Sequence, residues 1–321
     1  MSDHGGNLDA AMKVFGGEAE DWVDLSTGIN PCPYPVPEIS AHAWNALPTK
    51  SDLARLVATA KAAYQSDWAC LPTAGATAGI QLVPQLIPTG SARVLAPTYN
   101  EHAASLRLAG WSVEDASDLE GLRNSDLAVV VNPNNPDGKR YSPDALRELA
   151  ASCGTLIVDE SFCDPHPELS LLSGERVESI VVFRSFGKFF GLAGLRLGFV
   201  LASPTIIDQL AEMTGPWPVS GPAIEVGASA LGDQDWQRET SKRLEGDAQR
   251  MDALAQGYGW EAVGGTTLFR LYKTPDANAA RRQLAEHQIW SRIFPYSAYW
   301  VRLGLPYGDK QWSQLETALT R

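Results

Sequence analysis

Lys188 is the residue whose neighbours offer it the most chemistry. It lies in SIVVFRSFGKFFGLAGLRLGFVL, residues 179–201, with Ser185 and Gly187 just before it and Arg196 a short way after. A lone lysine beside core strands ordinarily snorkels, its stem on the core and its ammonium in water. Here the company points elsewhere. A partly desolvated amine near a second cation has a lowered pKa, which frees it to attack a carbonyl and hold a Schiff base. Ser185 and Arg196 could grip a phosphate, the arginine through two parallel bonds. An aldehyde that also carries a phosphate ester meets both demands, and pyridoxal phosphate (PLP) is such a molecule.

The elements that must position these groups can be read from the pattern. Ile180 to Phe183 reads as a buried strand, the Ser/Gly-punctuated stretch with Lys188 as a turn, and Arg196 as the opening of a second apolar strand. Upstream, Ala92 to Pro97, WSVEDA, Asp126 to Asn132 and TLIVDE read as strands, with helices over Glu101 to Ala109 and Pro143 to Ser152 between them. Strands alternating with helices imply a mostly parallel sheet, whose ligands sit off the carboxyl ends of the strands. Tyr99, the NPNNPDG segment at 132–138 and Asp159 all fall at such ends. Asp159 follows a run of core residues, where a carboxylate is costly unless paired.

Gly75, Ala76 and Thr77 lead into an apolar-period helix. Backbone N–H groups at such a start can receive a phosphate, although most small-residue turns merely begin a helix. The Asn-Pro repeat of NPNNPDG likewise reads as plain turn chemistry when taken alone.

Residues 1–45 look irregular apart from a short helical pattern at Leu8 to Val14, and form an expected N-terminal arm. A large domain is expected over 46–213, opening with a helical pattern from Ser51. TGPWPVSGP, Thr214 to Pro222, reads as a hinge into a smaller α+β domain at 214–321. That domain is read as a long helical segment from about Ala223 to Gly257, strands near Trp260–Val263 and Thr267–Tyr272, and a helix over Asp276–His287. Strands around Ile289–Phe294 and Tyr299–Leu303 and a closing helix complete it.

A formal net charge of −12 with no basic tract argues against a nucleic-acid binder. The four cysteines, Cys32, Cys70, Cys153 and Cys163, lack CxxC spacing, and the five histidines show no metal-ligand cadence. A reduced, cytoplasmic setting without a metal site is expected. The first residues show no basic segment followed by an apolar one, and Arg184, Lys188 and Arg196 interrupt the longest apolar stretch, so neither export nor a membrane span is expected.

Taken in order, APTY, NPNNPDG, VDESF and SFGKFFGLAGLRLGF resemble the fold-type I PLP enzymes of the class I/II aminotransferase superfamily, along nearly the whole chain. The N-terminal HGGN and DLSTGINPCPYP resemble most the branch that decarboxylates threonine phosphate for cobalamin biosynthesis, close kin of the histidinol-phosphate aminotransferases. The resemblance implies an α/β, PLP-dependent transferase-like fold: a large domain with a mostly parallel sheet between helices, plus a smaller α+β C-terminal domain.

It also implies roles. Lys188 would carry PLP and then act as general base or acid, with Asp159 pairing the pyridine nitrogen. A carboxylate at about 4 Å in an intermediate dielectric is worth roughly 4 kcal/mol to a cation. Asn135 would bond the ring's 3′ oxygen, Tyr99 would stack on the ring, and Gly75, Ala76, Thr77, Ser185 and Arg196 would hold the phosphate. Arg302 would take the substrate carboxylate, with Arg292, His4, Gly5 and Asn30 completing the substrate site. The substrate is then a small phosphorylated amino acid and the enzyme a homodimer. Decarboxylation of L-threonine O-3-phosphate is the expected reaction, histidinol-phosphate-type transamination the alternative, and a PLP-binding module without turnover a third reading. Two positions depart from the superfamily pattern. Phe162 replaces a tyrosine that also bonds the 3′ oxygen, and Leu47-Pro48 replaces a Tyr-Pro whose tyrosine reaches the neighbouring subunit's phosphate.

Overall fold

A computed structural model describes residues 5–320. The backbone divides into two units, one of residues 34–135 and 140–237, the other of the chain up to Pro33 with Pro136–Lys139 and Arg238 onward.

The first unit is built on a seven-stranded sheet. Its strands are β1 (Ala69–Thr73), β2 (Ser91–Leu95), β3 (Ser112–Ala116), β4 (Leu127–Val131), β5 (Thr155–Asp159), β6 (Ile180–Ser185) and β7 (Gly198–Ala202), in the order β1-β7-β6-β5-β4-β2-β3. All neighbours from β6 to β3 run parallel, and β7 is antiparallel to both β6 and β1. Every residue of β4 and β7 is buried. Continuous apolar strands of this kind mark a sheet covered on both faces. On one face Ile80, Leu106, Val129, Ile157, Phe183 and Val200 share a core cluster.

Helices α1 (Lys50–Ala63), α2 (Ala76–Leu82), α3 (Glu101–Leu108) and α4 (Pro143–Ala150) begin where their sequences carry start signals. Thr49 and Asp52 form a reciprocal capping box for α1, and Ser142 caps α4 ahead of Pro143. The sequence pattern did not mark β1, whose ACLPT carries Pro72. As the edge strand it tolerates a residue that lacks an N–H.

In the second unit β8 (Glu261–Thr266), β9 (Phe269–Lys273), β10 (Arg292–Phe294) and β11 (Ser297–Gly304) form an antiparallel sheet ordered β10-β11-β9-β8. Val23–Asp24 pairs in parallel with Ile289–Trp290, so part of the stretch read as irregular is a short strand. The single helix expected over 223–257 is two, Gly221–Gly232 and Gln234–Tyr258. Asp233 between them leaves helical geometry, and its carboxylate accepts the Trp236 N–H at 3.0 Å, the local bond that makes aspartate a helix starter. Among the described residues no helix is long and apolar enough to cross a membrane.

Candidate active site

Lys188 sits on a one-turn helix, Phe186–Phe189, rather than in an open turn. Aromatic packing fixes that turn. Phe186 stacks on Phe190 at 4.4 Å between ring centroids, Phe190 stacks on Trp236 at 5.7 Å, and the Tyr34 N–H donates to the Phe190 carbonyl at 2.9 Å. With Phe186, Gly187 and Phe189 buried, Lys188 takes the remaining side, its Nζ 5.7 Å from the centre of the Phe162 ring.

Lys188 lines a partly open cavity within the first unit, which also presents Gly75, Ala76, Thr77, Tyr99, Asn135, Asp159, Ser185 and Arg196. These are the residues expected from the sequence to hold the cofactor, drawn from six separate stretches of chain and brought together off the carboxyl ends of the strands. Phe162 lines the same cavity. Arg196 does not open a strand. It holds a left-handed conformation at φ 54° before β7 begins at Gly198. Its guanidinium lies so close over Gly75 that a Cβ there would stand 2.6 Å from Nη2, and Gly75 has φ +78°. Only glycine meets both conditions. The cavity thus has an end with a guanidinium over a small-residue helix start, which suits a phosphate.

At Asp159 the fit to a cofactor with a basic ring nitrogen can be tested. Asp159 is buried, the last residue of β5, and accepts bonds from the Ser161 N–H at 2.9 Å, the Ser161 hydroxyl at 2.5 Å and His102 Nε2 at 2.8 Å. Burial alone would raise its pKa, but the His102 and Ser161 bonds outweigh burial and hold the carboxyl below the usual carboxylate range. An ionised carboxylate on the wall of a cavity that also holds an amine and a phosphate-type end fits PLP. Burial pushes the Tyr99 phenol up to about 12, so that side chain meets a ligand as a neutral aromatic.

His102 was not singled out in the sequence. Its place in the helix after Tyr99 was the available signal, but a buried helical histidine carries no mark of its partner. The same is true of the groups behind the sheet. Glu160 and Arg184, neighbours of Asp159 and Ser185, pair at 3.0 Å while the second guanidinium nitrogen of Arg184 binds Asp164 at 2.6 Å. The Arg184 guanidinium lies 4.3 Å from the centre of the Tyr64 ring.

Asn132 and Asn134 bind the backbone around the NPNNPDG turn. Asn132 takes the Tyr141 N–H at 2.9 Å and gives to the Tyr141 carbonyl at 3.0 Å, and Asn134 gives to the Pro97 carbonyl at 3.0 Å. Asn135 is the asparagine on the cavity wall.

The residues expected to bind substrate belong to the second unit, apart from His4, which lies outside the described residues. Arg302 is buried, gives a bond to the Ser26 carbonyl at 2.6 Å, and stands in register opposite Arg292. Burial, and then the charge of Arg292, lower the Arg302 pKa to about 10. Gly5 packs against Ser26, where a Cβ would come 2.4 Å from the Ser26 carbonyl oxygen. Asn30 is buried, its amide oxygen taking bonds from Arg243 at 2.6 Å and the Cys32 N–H at 3.1 Å.

Residues 47–318 match the model of the aminotransferase class I and II family. The chain belongs to that family. A threonine-phosphate decarboxylase from a Sinorhizobium species is 40% identical over 99% of this chain and 97% of its own. A threonine-phosphate decarboxylase from Pseudomonas aeruginosa is likewise 40% identical over 99% of this chain and 97% of its own. Among solved structures, histidinol-phosphate aminotransferase from Sinorhizobium meliloti, in complex with pyridoxal-5'-phosphate, shares the fold with a TM-score of 0.81 at 18% identity, covering 98% of this chain and 94% of that one.

Proposed function

We propose that this enzyme decarboxylates L-threonine O-3-phosphate to (R)-1-amino-2-propanol O-2-phosphate in cobalamin biosynthesis, with PLP as its cofactor. The reading is carried by 40% identity, along 99% of this chain, to two relatives of that name. A cavity lined by Lys188, Asp159 and Arg196 supports it. Bound there, the cofactor supplies the electron sink that accepts the pair left when a bond at the substrate's Cα breaks.

The protein's own groups do the rest. Lys188 would hold the cofactor and would return a proton to Cα where carbon dioxide has left. Asp159, kept ionised by His102 and Ser161, would keep a proton on the ring nitrogen. Asn135 would donate to the ring oxygen, Tyr99 would cover the ring, and Gly75, Ala76, Thr77, Ser185 and Arg196 would hold the cofactor phosphate. Arg292 and Arg302 would take the two acidic groups of the substrate, joined by Asn30, Gly5 and His4. Positioning of the substrate decides which bond at Cα is set to break, so these anchors, rather than the cofactor, would select carbon dioxide over a proton as the leaving group. We further propose a cytoplasmic homodimer, on the family resemblance.

Incubation of the purified holoenzyme with threonine phosphate is expected to release carbon dioxide and the aminopropanol phosphate. No carbon dioxide, together with glutamate formed from histidinol phosphate and 2-oxoglutarate, would replace this reading with an aminotransferase.

A further inference from the structure

We propose that Arg243 is a positioning residue that decides which end of the Asn30 carboxamide is offered to the substrate. The inference rests on the assignment of Asn30 to the substrate site made above. Asn30 is only 1% exposed. Two donors converge on its amide oxygen, Nη2 of Arg243 at 2.6 Å and the backbone N–H of Cys32 at 3.1 Å. A guanidinium has only donors, and so does a backbone N–H. The opposite amide orientation would press the NH₂ of Asn30 against both of them in a buried place, which costs at least the two bonds. The oxygen therefore faces Arg243 and Cys32, and the NH₂ is the end turned away from them.

Arg243 is held in turn. Its Nη1 binds Asp247, one turn further along the same helix, at 2.8 Å, and its guanidinium lies 5.9 Å from the centre of the Tyr307 ring. The chain Asp247–Arg243–Asn30 thus joins a helix to a loop residue far away in sequence and fixes the polarity of that residue. An NH₂ presented to the substrate complements a phosphate or carboxylate oxygen and opposes a hydroxyl or ammonium donor. Arg243 would set specificity for an acidic substrate without touching it.

The test is steady-state kinetics with threonine phosphate on the holoenzyme, its Arg243→Met, Arg243→Lys and Asn30→Asp variants, with cofactor absorbance and thermal unfolding measured alongside. Arg243→Met is expected to raise KM about tenfold or more, the size of one charge-assisted bond, with a smaller change in kcat. Arg243→Lys, which keeps the charge and a donor, is expected to recover much of that loss. Asn30→Asp keeps a partner for Arg243 but removes the NH₂, and is expected to raise KM at least as far while unfolding at or above the wild-type temperature. If the Arg243–Asn30 bond were only a structural clip, Asn30→Asp would keep the wild-type KM, and that result would overturn the proposal. So would a KM within twofold of wild type in Arg243→Met. Should Arg243→Met fail to fold, a wild-type KM in both remaining variants overturns it equally. If the wild-type enzyme releases no carbon dioxide from threonine phosphate, the functional reading has failed and this inference falls with it. Normal wild-type turnover with unmoved KM values sinks this inference alone.

Discussion

Arg292 and Arg302 stand directly opposite one another across the antiparallel pair β10 and β11, so two guanidinium groups share one face of one sheet. Like charges placed opposite each other weaken a sheet. A bound anion would convert that repulsion into two attractions, the relation that a substrate carrying both a carboxylate and a phosphate would satisfy.

Replacing one of the pair should therefore separate stability from binding. Arg292→Gln is expected to stabilise the protein without substrate, by up to about 1 kcal/mol, while raising KM for threonine phosphate at least about tenfold. Thermal unfolding with and without substrate, beside steady-state kinetics, reads both. A variant that loses stability and keeps its KM would mean that the pair has no ligand role.

The same pair is expected to set a limb in the pH dependence of anion binding. With no anion bound the Arg302 pKa is near 10, lowered first by burial and then by Arg292. A bound anion favours the protonated form and raises that value. Affinity is thus fully present below about pH 10 and lost as pH rises through it. Protection of the holoenzyme against thermal unfolding by inorganic phosphate, followed from neutral pH to above 10, checks this, and the limb should vanish in Arg302→Gln.

Asp159 titrates on the acid side. Its folded pKa lies below the usual 3.8, so its ionised form persists above that value and is lost only as pH falls through the lower one. His102→Leu removes one of its bonds and leaves the opposing effect of burial in place. The Asp159 pKa is then expected to rise, with a fall in kcat of roughly tenfold to a hundredfold, the range of one hydrogen bond to a charged group. A pH titration of the cofactor absorbance together with the pH–rate profile measures both shifts. Identical profiles in variant and wild type would remove His102 from this role.

Lys188→Ala should lose the yellow absorbance of the bound cofactor and turnover together, while unfolding near the wild-type temperature. Retained turnover would rule out Lys188 as the attachment point and favour a different base.

Behind the sheet, Arg184→Met would leave the fully buried Glu160 without its cation. Glu160 keeps only the Ser170 hydroxyl and the Leu171 N–H as donors. Breaking one side of a buried ion pair costs about 3–5 kcal/mol, measurable by chemical denaturation. A much smaller loss would show that Glu160 is protonated in the folded protein, the direction in which burial pushes it.

The sequence could be read this far because several of the cofactor-type residues are announced by their own surroundings, while Asn135 and Tyr99 took their roles from the family resemblance. Asp159 ends an apolar strand run, Gly75 stands at a helix start, and Lys188 is enclosed by Ser185, Gly187 and Arg196, all local patterns that period and residue type preserve. Most strands read from those patterns lie within a few residues of the observed ones, although the strand read from Arg196 begins at Gly198 and the stretch around Ile289–Phe294 is split between two sheets. Two strands went unread: β1, whose proline hid it, and Val23–Asp24, too short to show any alternation.

What the sequence by itself determined about this protein is the set of chemical groups and the succession of strands and helices that carries them. The tertiary structure alone decided their partners. His102 meets Asp159 across 57 positions, Arg292 meets Arg302 through strand register, and Asn30 meets Arg243 across 213. The physical reason is that periodicity fixes which face a side chain points to, whereas the hydrogen bond that sets its charge or its orientation depends on where a distant segment closes on it.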